Sequence, residues 1–145
     1  MKFAYKVGAV IPVSADVAGN MCKQLERTVG LTAQNLLDAN RAEDAPLHSA
    51  FEWNDVKAAE SYRLNQAAYI IRSLVTVEDE KSAPVRAFFT VERKIYESID
   101  EILADRSKTE DLLKIALREL KAFKAKYSQL IALSGVFDAI DHIPL

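Results

Sequence analysis

Between Asn54 and Val91 the hydrophobic pattern changes period, and that change restricts the fold more than any other feature of the chain. Val56, Ala59, Ala67, Ile70, Ile71 and Leu74 recur at helical spacing, with Asn54 placed to cap the helix they predict. The runs Leu74-Val-Thr-Val-Glu78 and Pro84-Val-Arg-Ala-Phe-Phe-Thr-Val91 follow, β-branched and aromatic, on either side of the polar Asp79-Glu-Lys-Ser82. Two such runs with a short polar connection predict a hairpin over 74–91. The long helix is therefore expected to have one buried face and to feed directly into a two-stranded flap.

The two faces of that helix carry different chemistry. Glu60 and Arg63 fall inside the apolar stripe three residues apart, so they can pair rather than be buried singly, with Trp53 available as a roof. Such a pair reads as structural, with a functional charge pair as the alternative. On the opposite side Tyr62, Asn65, Tyr69 and Arg72 cluster on the helical wheel. Aromatic and Arg side chains dominate contact energies, and Asn and Arg can read base edges, so this face suits recognition of nucleic acid. The competing reading is a second packing face, with both tyrosines half-buried against the C-terminal helices.

Upstream, Met1–Val13 reads as an extended arm or short edge strand punctuated by Gly8 and Pro12. Ser14 can cap a helix over Ala15–Val29 with core positions Val17, Met21, Leu25 and Val29, ended by Gly30. Leu31 and Leu36 flank Thr32 as a staple around an N-cap, opening a short helix to Ala39 or Asn40. The helix, Gly-Leu-Thr turn and second helix resemble a helix-turn-helix. Pro46 favours the first turn of another short helix through Ala50. Two helices, a longer third and a hairpin follow the element order of a winged helix.

From Ser98 onward the signals are helical. Ser98-Ile-Asp-Glu101 and Ser107-Lys-Thr-Glu110 are capping boxes. Leu113, Ala116, Leu120, Phe123, Tyr127, Leu130, Ser134 and Phe137 then alternate at steps of three and four, a heptad seam that can pack on the domain or on a second copy. Lys114, Arg118 and Lys121 align on the outer face, with Lys124 and Lys126 nearby; they form either a solvated face or an anion-binding stripe for phosphates. Residues 106–145 carry 7 basic and 5 acidic side chains in a chain of net charge −2, so an anionic partner is expected at this end.

No catalytic or metal-binding set emerges. Cys22 is the single cysteine, beside Ala18 and Met21, and is expected to be a buried, inert thiol. His48 lies near Glu52 and Asp55, a pairing that in principle binds metal or moves protons, but no second histidine is close by and no nucleophile is spaced to meet it. Gly-rich phosphate loops and paired His or Cys ligand spacings are absent. No cofactor and no small-molecule substrate are expected. The apolar runs fall well short of the roughly 20 residues of a membrane span. A cytoplasmic location in a bacterial host cell, with no membrane partner, is the expectation.

The segment Pro46-Leu-His-Ser-Ala-Phe-Glu-Trp-Asn-Asp-Val-Lys-Ala-Ala-Glu-Ser-Tyr-Arg-Leu-Asn-Gln-Ala68 resembles a family of small proteins encoded by tailed phages and prophages. The resemblance extends through Tyr5–Gly8, Gly30–Thr32, Ile70–Ser73 and the helix from Leu120 to Phe137. Asn54 stands where many members have Asp, and both residues cap helices. It implies a phage or prophage origin and carries over no activity and no functional residues. The expectation is one mainly α domain over residues 1–145 with one small β-hairpin. A winged-helix-like core spans 1–97, braced by a long C-terminal helix within 98–145. Its expected role is a non-enzymatic accessory protein that binds DNA or nucleoprotein through Tyr62, Asn65, Tyr69, Arg72, Lys114, Arg118 and Lys121. The alternative is a protein–protein adaptor or homo-oligomeric component assembled through the C-terminal helix and the hairpin edge.

Overall fold

A computed structural model describes residues 2–54 and 57–144. The fold is mainly helical with two small antiparallel sheets, and the chain divides into two compact units, Met1–Glu101 and Ile102–Leu145. Asp55 and Val56 lie outside the described residues, and with them the Asn54 cap and the first position of the predicted stripe.

In the first unit, β1 (Lys2–Tyr5) leads to α1 (Ala15–Arg27), β2 (Leu31–Thr32) and α2 (Ala33–Asp38). A single 3₁₀ turn at His48–Ala50 then precedes α3 (Lys57–Ser73), β3 (Leu74–Val77), β4 (Val85–Arg86), β5 (Phe88–Glu92) and β6 (Ile95–Ser98). Ser14 and Thr32 cap α1 and α2 as expected, accepting from the N–H groups of Val17 and Asn35 at 3.2 and 2.9 Å. Gly30 takes the left-handed conformation after α1, and its N–H donates to the Leu25 carbonyl.

The face that α1 buries is not the predicted one. Ala18, Gly19, Cys22 and Leu25 are buried, whereas Val17 and Val29 are exposed and Met21 is half-buried. Small residues win because β1 lies against them: a Cβ on Gly19 would fall within the Phe3 ring. The Phe3 N–H donates to Asp16 at 3.2 Å, which occupies a backbone group that would otherwise stay open on a strand at the sheet edge. Burial, and then the charge of nearby Glu26, push the Cys22 thiol up to about 12. It is an inert core group.

Three strands were not expected as they occur. The predicted hairpin over 74–91 is divided between two sheets, ordered β1-β3-β4 and β2-β6-β5. Ala87, fully buried, is the joint: its N–H donates to Leu74 O of one sheet, and its carbonyl accepts from Ile99 N at the end of the other. β3 and β4 pair antiparallel, with Val75 opposite Arg86, while β5 turns back on β6 with a bulge between Thr90 and Glu92. Ser98 does not form a capping box with Glu101. Instead Glu26 of α1 accepts from its N–H at 2.6 Å and its hydroxyl at 3.1 Å, and from Lys23 at 2.9 Å. That carboxylate locks α1 to the end of β6.

A hydrophobic core that includes Phe3, Leu36, Leu37, Leu47, Ile70, Ile71, Leu74 and Phe88 fills the first unit. After β6 comes the short α4 (Ile99–Leu103). In the second unit, α5 (Arg106–Tyr127) is capped by Asp105, upstream of the predicted Ser107, and none of its residues is buried. The heptad seam does not run as one helix to Phe137. The chain turns after Tyr127, passes a 3₁₀ turn at Ile131–Leu133 and folds back as α6 (Ser134–Asp141). Phe137 thereby lies 6.3 Å from Phe123, whereas a continuous helix would separate them by about 21 Å. Lys124 closes the hairpin on Asp141 at 2.5 Å.

Candidate nucleic-acid interface

The approach to α3 is held by the segment that is most distinctive in the sequence. Asn40, fully buried, donates to Leu36 O at 2.7 Å and accepts from Leu47 N at 2.9 Å. The His48 ring lies flat on Trp53 with centroids 4.4 Å apart, its Nδ1 3.0 Å from Asn40 O. Trp53 Nε1 donates back to His48 O at 2.7 Å. On Trp53 also rests the Arg63 guanidinium, 4.9 Å from the ring centroid. Arg63 donates to the carbonyls of Glu52 and Asn54 and lies 3.7 Å from Glu60. Glu60 in turn accepts from Arg41 at 2.7 Å, a hydrogen bond that holds its carboxyl below the usual range. The Glu60–Arg63 pair is thus a structural clamp roofed by Trp53, and the His48 ring is part of the same stack. Among the described residues no three His, Cys, Asp or Glu side chains come together as a metal set.

With its inner side fixed, α3 presents the opposite one. Tyr62 is 55% exposed, and Asn65 and Arg72 are exposed; none of the three has a side-chain partner among the described residues. Tyr69 departs from the group. It is half-buried, it lies under the Lys6 ammonium at 5.8 Å, and it lines a separate cavity of about 260 Å³ with Val10, Phe51 and Gln66. Its ring is engaged with the segment after β1.

Asn65 faces a different groove, of about 420 Å³, whose walls include Thr32, Gln34, Leu64, Tyr96 and Lys94. This groove brings together the start of α2, the outer face of α3 and the tip of the β5–β6 hairpin. Arg93 and Lys94 form that tip. Both are exposed and without side-chain partners among the described residues, and Lys94 has φ +60°, uncommon for a residue with a side chain. Arg63, Arg41 and Lys23 are by contrast tied to internal partners. The free cations at the hairpin tip were missed in the sequence because Ile95–Ser98 is short and no Gly or Asn marks the turn; Glu92-Arg93-Lys94 between two β-prone segments was the available signal.

Lys114, Arg118 and Lys121 are exposed along α5 in the second unit, with Lys114 3.9 Å from Asp111. The Lys23 ammonium lies 3.1 Å from the Ser98 hydroxyl, a spacing shared with Ser–Lys nucleophile pairs. Here Glu26 accepts from both Lys23 and the Ser98 hydroxyl, which ties the pair into the α1–β6 junction. Among the described residues no helix is long and apolar enough to cross a membrane.

Comparison with models of known protein families, with functionally curated proteins and with solved structures finds no match.

Proposed function

We propose that this protein is a non-enzymatic phage or prophage accessory protein that binds duplex DNA, alone or within a nucleoprotein, through a winged-helix-like surface on its first unit. The observation that carries the reading is the groove in which Asn65 of α3 and Lys94 of the β5–β6 tip meet. The order α1, β2, α2, α3, β5, β6 supports it, as does the sheet order β2-β6-β5, with β3 and β4 inserted after α3. In this arrangement α3 enters the major groove and the Arg93–Lys94 tip meets the flanking backbone. The net charge of −2 confines the attraction to this local surface. Lys114, Arg118 and Lys121 supply further phosphate contacts.

Fluorescence anisotropy with a labelled 20–30 base-pair duplex at low salt tests the proposal. Replacing Arg93 and Lys94 together by Ala should weaken binding and reduce the slope of log K against log salt by about 1 per lost phosphate contact. Charge reversal of Lys114, Arg118 and Lys121 should weaken it further. Absence of any complex with duplex DNA in low salt refutes the reading.

A second reading has its own support. In the second unit Leu113 is 48% exposed, Phe123 41% and Ile131 86%, an unusual amount of apolar surface for so short a segment. It favours an adaptor or homo-oligomer joined through α5. Light scattering should then report an assembly that Leu113→Glu with Phe123→Glu dissolves; a monomer at all concentrations removes this reading.

A further inference from the structure

We infer that Asn65 reads an adenine edge in the major groove, which makes the first unit selective for A·T-containing duplexes; this rests on the DNA-binding reading of α3. Three properties of Asn65 converge. It lies at the midpoint of α3, on the exposed face of the helix that the DNA-binding reading places in the major groove. Its amide is exposed and unpartnered among the described residues, so no internal bond has to be broken for it to bind. It offers a donor and an acceptor side by side on a short stem, the pattern that matches N6–H and N7 of adenine.

The neighbouring groups do not compete for this role. Gln34, the other amide at the groove, donates to Asp38 at 3.0 Å. Glu60 is held by Arg41 and Arg63. Tyr62 presents one hydroxyl and cannot form a bidentate pair. Arg72 matches guanine or phosphate but lies about 10 Å further along the helix axis. Ala68, one turn after Asn65, is half-buried in the same groove and offers its methyl to a thymine methyl. Lys94 lines the same groove as Asn65, and its ammonium can hold a nearby phosphate while the amide is on the base. The backbone that carries Asn65 is anchored by Arg63 on Glu52 O and Asn54 O, so its position is set before binding.

Selection of a randomised 20-base-pair duplex pool, followed by anisotropy on the selected sequence, tests the assignment. Each adenine is replaced in turn by 7-deazaadenine, which lacks the N7 acceptor. At one position wild type should lose about ten-fold in affinity, within the discrimination of a good bidentate pair. Asn65→Ala should bind the unmodified duplex about ten-fold more weakly and be indifferent to the 7-deaza change there; Asn65→Asp, which keeps the shape and removes the donor, should be equally indifferent. Circular dichroism of the variants should match wild type, since the side chain is exposed and unpartnered. If wild type shows no sequence preference, or the 7-deaza penalty persists undiminished in Asn65→Ala, the assignment of Asn65 is overturned and DNA binding stands. If no duplex is bound at all, both fall.

Discussion

Gly19→Ala sets two general rules against each other, and their difference is a direct test of how β1 meets α1. Inside a helix Ala is favoured over Gly by about 1 kcal/mol, so propensity alone expects stabilisation. Gly19 is buried, however, and a Cβ there would overlap the root of the Phe3 ring. That ring has little room to yield. Phe3 is 7% exposed, stacks on Phe88 at 6.0 Å, and belongs to a strand paired residue by residue with β3 from Lys2 opposite Val77 to Tyr5 opposite Leu74. Overpacking of a tight core costs about 1–3 kcal/mol, and an overlap at the ring root belongs at the upper end. The expected net effect is a loss of about 2 kcal/mol, or roughly 1 M in the urea midpoint for a slope near 2 kcal/mol/M. Gly135→Ala is the control: its Cβ would meet nothing within 4 Å, so propensity acts alone and stability should be unchanged or slightly higher. In a Phe3→Ala background the cost of Gly19→Ala should fall by at least half, because the Cγ, Cδ2 and Cε2 atoms that a Cβ on Gly19 would meet are gone. A higher midpoint for Gly19→Ala, or a cost that persists in full beside Phe3→Ala, would refute this account of the contact.

Three further outcomes follow from groups with defined surroundings. Cys22 should resist thiol reagents at pH 8 in the native state and react fully in urea. Its folded value near 12 is raised from 9, so its contribution to stability is present below pH 9 and lost as pH rises from 9 toward 12; Cys22→Ala should flatten that alkaline loss. Glu26→Gln keeps the shape but replaces charge-assisted bonds to Ser98 and Lys23, and should cost about 1.5–3 kcal/mol in urea unfolding; an unchanged midpoint would show that α1 and β6 are joined by packing alone. Trp53→Ala should cost about 2–4 kcal/mol and speed amide exchange over 46–54, since it removes the plate between His48 and Arg63; intact protection there would count against the stack as the anchor of α3.

The parts of the fold that were legible in the sequence are those where one local signal met no tertiary competitor. Ser14 and Thr32 cap as written, and α3 runs straight into β3 where the hydrophobic period changes. Where packing decides, the pattern misleads. The α1 stripe was assigned to the largest apolar residues, but the buried face is made of Ala18, Gly19 and Cys22 because a strand must approach there. The run 84–91 reads as one strand, yet the hydrogen bonds of Ala87 face two directions and divide it between sheets. A heptad seam is indifferent to whether its helix continues, so the turn after Tyr127 left no trace in the spacing. Of the candidate contact residues, Tyr62, Asn65 and Arg72 were recoverable from the helical wheel. The same wheel included Tyr69, since a projection of α3 carries no information about the segment after β1 that covers its ring.

In the fold, the side chains of the Pro46–Trp53 segment serve architecture. His48 stacks, Phe51 is buried at 5.9 Å from Trp53, and Trp53 supports the buried guanidinium of Arg63. Each depends on the others: an Arg63 without Trp53 and the Glu52 and Asn54 carbonyls would be a nearly buried charge short of partners, a costly state. A motif of this kind therefore marks how α3 is oriented. It does not mark what α3 contacts. On the proposed reading, contact chemistry falls instead on side chains that the fold leaves without internal partners among the described residues. Exchanging Tyr62, Asn65, Arg72, Arg93 and Lys94 should on this argument alter what is bound while leaving the unfolding midpoint within about 0.5 kcal/mol per substitution of wild type, the range of ordinary surface changes. Exchanging Trp53 or Arg63 should do the reverse, lowering stability while leaving the selectivity of whatever protein remains folded as it was.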